Sequence, residues 1–168
     1  MLENYFKGSS KNPYHISIGA VLVNTEGEIA THYFEEKSEN SFFAEYEEFH
    51  LLMRETIEPG ESIEECLARG LMEEFGAVGN MKSYLGSNVI YFPSGHNIPI
   101  EKTTLYFSCE LVSINDGDRI KQDGERDSTI TWVKPEELIA RMKEQAVRLN
   151  ESTIDESIII ERFLKINS

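Results

Sequence analysis

Residues 58–77 read EPGESIEECLARGLMEEFGA and contain the clearest helix signal of the chain. Ser62 and Glu65 form a Ser-x-x-Glu capping box, in which each side chain satisfies a free backbone N–H at the start of a helix. Gly76 supplies a stop signal, because glycine readily adopts the left-handed conformation that ends many helices. The spacing therefore predicts a helix over 62–75. Its core-facing stripe, at four-residue steps, consists of Ile63, Leu67, Leu71 and Phe75.

Glu73 and Glu74 lie beside this stripe, on the same broad side of the predicted helix. Two carboxylates placed together repel each other unless a positive charge lies between them. Mg²⁺ suits that position because it prefers oxygen ligands. An isolated Glu-Glu pair is more often part of an ordinary solvated helix surface. The surrounding pattern decides between these two interpretations.

The wider segment resembles the signature of the Nudix hydrolase family, G-x5-E-x7-R-E-U-x-E-E-x-G-U, in which U is an apolar residue. The stretch EPGES before the helix is also typical of that family. The resemblance extends more loosely over most of the chain, through an early hairpin pattern and a late strand at 130–133. The positions that match at the required spacing are Glu61, Arg69, Leu71, Glu73, Glu74, Gly76 and Ala77.

Two places depart from the signature. Glu55 stands where the family has its opening glycine, and Arg54 stands where another glycine usually precedes it. Gly70 stands where the family has a glutamate that is one of the usual metal ligands. Glycine inside a helix is also about 1 kcal/mol less favourable than alanine. The helix has therefore either relaxed its catalytic constraint or obtains that ligand elsewhere.

The resemblance implies a role for several acidic residues. Glu73 and Glu74 are implied as catalytic groups and as the ligands of a metal, Mg²⁺ or Mn²⁺. Glu125, in a polar loop before the late strand, is the candidate general base, and Glu101 is a candidate substitute ligand. An ordinary surface carboxylate is the alternative interpretation of both. The resemblance implies that Gly60, Glu61 and Arg69 support the signature segment structurally and take no direct part in the chemistry.

The rest of the pattern predicts a mixed sheet flanked by helices, which is the α+β class in an α/β/α sandwich. Alternating and β-branched runs predict strands over 15–23, 28–34, 49–53, 82–92, 103–114 and 129–133. Pro135, at a first helical position, opens a helix over 136–148, and a last helix is predicted over 154–166.

The length, charge and cysteine content of the chain limit the class of protein it can be. A chain of 168 residues predicts one domain over 1–168, with 1–13 as a loose polar lead-in. The formal net charge of -14 argues against nucleic acid and anionic membrane surfaces as partners, since both need basic groups. Cys66 and Cys109 form no disulfide or zinc pattern and are expected to be reduced core thiols. With no signal-peptide pattern and no apolar run of about 20 residues, a cytoplasmic protein is expected.

Two classes of function remain open. The matching residues favour a metal-dependent hydrolase that cleaves the pyrophosphate of a nucleoside diphosphate linked to another group. Gly70 favours a Nudix fold without catalysis, which binds a nucleotide ligand or serves as an interaction domain. Many proteins of the family are dimers, so a homodimer is the implied assembly. For the hydrolase and for the ligand-binding alternative, the implied partner is a small nucleotide-type molecule.

Overall fold

A computed structural model describes residues 3–37, 44–93, 98–120 and 127–168. The strands are β1 (Tyr14–Val23), β2 (Ile29–Phe34), β3 (Phe49–Leu51), β4 (Met53–Thr56), β5 (Ala77–Phe92), β6 (Ile100–Ile114) and β7 (Thr129–Val133). The α-helices are α1 (Ile63–Phe75), α2 (Pro135–Arg148) and α3 (Ser157–Ile166). One mixed sheet has the strand order β3-β2-β1-β6-β5, with β4 paired to β1 and β7 paired to β2.

The centre of the sheet is β1, which runs parallel to β6 from Tyr14 opposite Glu101 to Val23 opposite Glu110. Its residues 17–22 are buried without interruption. Continuous burial is typical of a strand covered on both faces. β1 therefore lies in the middle layer of the molecule, between helices.

The two faces of β1 contact different helices. Ile18 packs in a core cluster with Leu71 of α1, whereas Val21 packs in a second cluster with Leu138 of α2 and Ile159 of α3. Alternate residues of a strand point to opposite faces of a sheet, so one helix covers one face and two helices cover the other. This arrangement confirms the predicted α+β class and its sandwich of layers.

The ends of α1 agree with the local sequence signals. Ser62 and Glu65 form the complete capping box, and Gly76 has a φ of 61° in the left-handed region. A Cβ at position 76 would lie 2.2 Å from the carbonyl oxygen of Asn115. One expectation for this helix is wrong: Ile63 is 36% exposed, because it stands in the first turn beyond the edge of the core.

Several helix and strand boundaries differ from those predicted from the sequence. The predicted strand over 49–53 is two short strands, since Leu52 donates its N–H to Glu156 Oε2 at 2.8 Å. Strand β5 begins at Ala77, directly after the helix cap, and α3 begins only at Ser157. The N-terminal segment, predicted to be loose, is in contact with the core. Phe6 packs against the core, and its carbonyl oxygen accepts a hydrogen bond from the N–H of Ile16 at 2.9 Å.

The cysteines are Cys66 and Cys109, both free and buried in the core as expected. Burial raises the pKa of each thiol to about 12. Among the residues described, no helix is both long enough and apolar enough to span a bilayer.

His50 on β3 makes stability depend on pH. Burial, and then the charge of Arg141, lower its pKa from 6.5 to about 4. Between these values the unfolded chain binds a proton that the folded chain does not, so this contribution is complete above pH 6.5 and is lost as pH falls towards 4. We expect the free energy of unfolding to fall by about 2 kcal/mol from this residue between about pH 7 and 5.

Urea unfolding of the wild type and of His50→Gln at the two pH values measures this difference. Glutamine does not titrate, so the variant should lose less stability over the same interval. Equal losses in the two proteins would show that His50 is not responsible. His15 titrates in the same range, with a pKa also lowered to about 4, and remains present in both proteins as an internal control.

Candidate active site

The loop before α1 is held to the helix by Arg69. Its Nε donates to Glu61 Oε1 at 2.8 Å and its Nη2 to Glu61 Oε2 at 2.9 Å, which is a bidentate pair. Nη2 also donates to the carbonyl oxygen of Thr56 at 2.8 Å. The hydrogen bond from Arg69 lowers the pKa of Glu61. Gly60, in the turn between these partners, has a φ of 86° and therefore uses the left-handed freedom of glycine.

We expect Arg69→Lys to loosen this loop. A lysine ammonium cannot reproduce the planar fork that contacts both oxygens of Glu61. Since both partners are only partly buried, the expected loss in the free energy of unfolding is about 1–2 kcal/mol. Chemical denaturation measures it. The exposed pair of Arg148 with Glu144 is the matched control, and Arg148→Lys should cost less than half as much.

Glu73 and Glu74 are adjacent in sequence but face different partners. Glu73 Oε2 lies 3.4 Å from Nη1 of Arg69 and is partly exposed. Glu74 is 7% exposed, and its Oε2 lies 2.7 Å from Nε2 of His32. Burial, and then the charge of Glu55, raise the pKa of Glu74 well above its usual range. The two glutamates therefore occupy a solvated and a buried side of the same helix end.

His32 connects Glu74 to the buried side chain of Arg119. Arg119 Nη2 lies 3.2 Å from His32 Nδ1, and Ser128 Oγ lies 2.9 Å from the same ring nitrogen. A guanidinium can only donate, so Nδ1 is the acceptor and the proton is on Nε2. Nε2–H then donates to Glu74. The histidine thus orients this carboxylate, a contact that sequence spacing did not indicate because it joins positions 42 residues apart.

Gly70 lies directly against Glu55 of β4. A Cβ at position 70 would be 2.7 Å from Glu55 Cβ and 2.9 Å from Met53 Sδ. Real Cβ atoms do not approach other atoms so closely. The absence of a side chain at Gly70 is therefore what allows the side chain of Glu55 to pass across the helix.

A cleft of about 740 Å³ adjoins Glu74 and His32. It is large enough for a small organic ligand. Besides His32, four aromatic side chains and four basic or imidazole side chains contribute to its lining. They are Phe34, Tyr46, Tyr91 and Phe92, and Lys7, His15, Arg54 and Lys102.

The lining also includes three acidic side chains, Glu45, Glu74 and Glu151, beside the three cations Lys7, Arg54 and Lys102. Burial lowers the pKa of His15 to about 4, and the nearby charges of Lys102 and Lys7 lower it in the same direction. Tyr91 is 61% exposed, so it is available at the cleft wall and is not part of the strand core. The cleft therefore offers both basic and aromatic groups to a ligand, in a lining that also holds carboxyl groups.

The remaining sequence candidates lie elsewhere. Glu101 accepts a hydrogen bond from Tyr91 Oη at 3.2 Å near the start of β6. Glu125 falls outside the described residues. Within the described ranges, no three His, Cys, Asp or Glu side chains already converge as a metal cage. Any metal bound by Glu73 and Glu74 therefore requires side-chain rotation or substrate oxygens to complete its ligands.

Comparison with known proteins agrees with this architecture. The chain is similar to the crystal structure of MutT protein from Methanosarcina mazei Go1, with a TM-score of 0.61 and 22% identity over 93% of this chain and 96% of that one. It is similar to a NUDIX hydrolase from Nitrosomonas europaea, with a TM-score of 0.60 and 16% identity over 89% and 88% of the two chains. At these identities the likeness establishes the fold alone. A search of curated protein sequences found no match.

The mixed sheet between helical layers thus matches the fold of these Nudix structures. The family profile described as NUDIX domain matches residues 13–153, which is most of the chain. The protein belongs to the Nudix family. The resemblance in the signature segment is thereby confirmed, and a pyrophosphohydrolase type of function is supported.

Proposed function

We propose that the protein is a metal-dependent hydrolase that cleaves the pyrophosphate of a nucleoside diphosphate linked to another group. The observation that carries the proposal is the position of Glu74. This buried carboxyl lines a cleft that also contains basic and aromatic side chains. Membership of the Nudix family supports the type of reaction.

The donors at the end of α1 suit a hard divalent cation. Glu73 and Glu74 would hold Mg²⁺ or Mn²⁺, because both supply carboxylate oxygens and Mg²⁺ commonly takes only one or two protein carboxylates together with phosphate oxygens. The space at Gly70 agrees with a cation site. It leaves room for the side chain of Glu55, whose negative charge acts on Glu74. When bound, such a cation offsets phosphate charge and lowers the pKa of a water molecule.

The chain's own residues account for binding and orientation. Lys7, Arg54 and Lys102 line the cleft and would attract the phosphate groups of the substrate. Tyr91 and Phe92 offer ring faces or edges to an aromatic base. Lys102 on β6 lies opposite Ile90 on β5, next in register to Tyr91, so basic and aromatic side chains adjoin in this part of the cleft wall. A ligand that carries both phosphate and a ring could contact both.

His32 is a positioning residue for the reaction. Its Nε2–H holds one oxygen of Glu74, and Arg119 holds the ring in that tautomer. The general base is proposed as Glu125 from the resemblance alone.

A panel of nucleoside diphosphate derivatives, incubated with purified protein and Mg²⁺ or Mn²⁺, tests the proposal. We expect metal-dependent release of a nucleoside monophosphate or of inorganic phosphate from at least one class of compound. EDTA should abolish the release. If no compound in a broad panel is cleaved with either metal, the hydrolase proposal is wrong.

The second candidate function is ligand binding without hydrolysis, which Gly70 favours because the signature glutamate is missing there. Isothermal titration with the same compounds discriminates the two. Binding without turnover would support this alternative, and turnover by the wild type would exclude it. A cytoplasmic location and a homodimer remain predictions, to be checked by fractionation and by light scattering.

A further inference from the structure

The two departures from the signature segment are reciprocal. Position 55 carries a glutamate where the signature has glycine, and position 70 carries a glycine where the signature has glutamate. These positions are 15 residues apart in the chain but lie on neighbouring elements, β4 and α1. Nothing in the sequence connects the two changes, and their relation is visible only in the fold.

The two positions cannot both carry a side chain. A Cβ at position 70 would be 2.7 Å from Cβ and 3.2 Å from Cγ of Glu55. Both of these Glu55 atoms are close to its own backbone, so they cannot move away as the end of a flexible side chain can. Glutamate at one position thus requires glycine at the other, which explains why α1 retains a residue that disfavours helix by about 1 kcal/mol.

The carboxylate of Glu55 lies at the same helix face as Glu73. Glu55 Oε1 is 3.3 Å from Arg69 Nη1, and Glu73 Oε2 is 3.4 Å from that same nitrogen. The two carboxylates therefore already share one positive group. The charge of Glu55 is also felt by the buried Glu74. Glu55 from β4 and Glu73 from α1 thus meet at one guanidinium, and the charge of Glu55 also reaches Glu74.

We propose that Glu55 is a ligand of the divalent cation and supplies, from β4, the carboxylate that α1 lacks at Gly70. This inference rests on the proposed function, because it assumes that the α1 glutamates bind a cation. Glu55 would rotate from Arg69 towards the metal. Arg69 keeps its bidentate partner Glu61 when Glu55 leaves, so the loop remains braced.

Direct Mn²⁺ binding tests this assignment without any substrate. Electron paramagnetic resonance of free Mn²⁺ gives the dissociation constant for the wild type and for Glu55→Gln. Glutamine keeps the carbon chain that fills the space at Gly70 but removes the charge. We expect Glu55→Gln to weaken Mn²⁺ binding by at least about 10-fold. The control is Glu64→Gln, an exposed residue of the first turn of α1, which should bind as the wild type does.

The exchanged variant Glu55→Gly/Gly70→Glu provides the decisive comparison. It returns the glutamate to the helix and removes the contact with Glu55, so that only the end of the Met53 side chain, whose Sδ would be 2.9 Å from the new Cβ, has to move. Mn²⁺ affinity should then recover to within about threefold of the wild type, or about 0.7 kcal/mol. Gly70→Glu alone should lower the melting temperature, because its Cβ meets Glu55. Circular dichroism checks that each variant is folded.

The outcomes separate this inference from the proposed function. If Glu55→Gln binds Mn²⁺ as tightly as the wild type, Glu55 is not a ligand, although the wild type can still be a hydrolase. If the wild type binds no Mn²⁺ even at millimolar concentration, both the assignment and the metal-dependent mechanism are wrong. If the exchanged variant does not fold, the comparison of Glu55→Gln with Glu64→Gln decides alone.

Discussion

Glu74→Gln is expected to lower kcat by about 10²–10³-fold while the protein stays folded. The glutamine amide oxygen can still accept the hydrogen bond from His32, so the packing around position 74 is retained. What disappears is the negative charge that the buried site would present to a cation. The expected loss therefore falls on the chemical step and on metal affinity, and not on the structure.

Stability distinguishes this interpretation from simple damage. Burial raises the pKa of Glu74, which means that holding its charged form in the protein is unfavourable. The neutral glutamine should leave the melting temperature in EDTA unchanged or slightly higher. The measurement is kcat with a cleaved substrate across a Mg²⁺ titration, beside melting curves in EDTA. Glu64→Gln on the same helix is the control, and a Glu74→Gln enzyme within twofold of wild type would contradict a catalytic role.

Glu156→Ala should produce the largest loss of stability, about 3–5 kcal/mol in the free energy of unfolding. Glu156 is fully buried immediately before α3. It accepts hydrogen bonds from the N–H of Leu52 and from Tyr106 Oη, and its Oε1 lies 3.6 Å from Arg54 Nε. Alanine removes this acceptor from three buried or half-buried groups at once and leaves a cavity.

Glu156→Gln separates the loss of charge from the loss of the acceptor. Glutamine keeps an oxygen for one of the donors, so it should cost about half as much as alanine. Urea unfolding followed by circular dichroism gives both values. If the alanine and glutamine variants are equally stable, or if alanine costs less than about 1 kcal/mol, the buried contacts of Glu156 contribute less than their geometry indicates.

This network also affects the cleft. Arg54 lines the cleft and contacts Glu156 through Nε, and Leu52 stands at the break between β3 and β4. A partly destabilised Glu156→Gln protein is therefore expected to show a raised KM as well, since the position of Arg54 depends on Glu156. Glu74→Gln, in contrast, should change mainly kcat.

The sequence by itself was sufficient for features that depend on neighbours along the chain. The capping box of Ser62 with Glu65, the left-handed Gly76 and Pro135 at the start of α2 were all predicted correctly. Each depends on contacts within about one helical turn, so the local residues determine it. The signature spacing also predicted the Nudix family, because it places the same residues on the same face of α1.

Only the tertiary structure decided which residues surround Glu74. His32 meets it across 42 residues, and Glu156 interrupts a predicted strand from a position 104 residues away. Such contacts leave no periodic trace in the sequence, because they depend on which strands the sheet places side by side. Gly70 shows the difference most clearly. In the sequence it was a missing ligand, whereas in the fold it is the space through which Glu55 reaches α1.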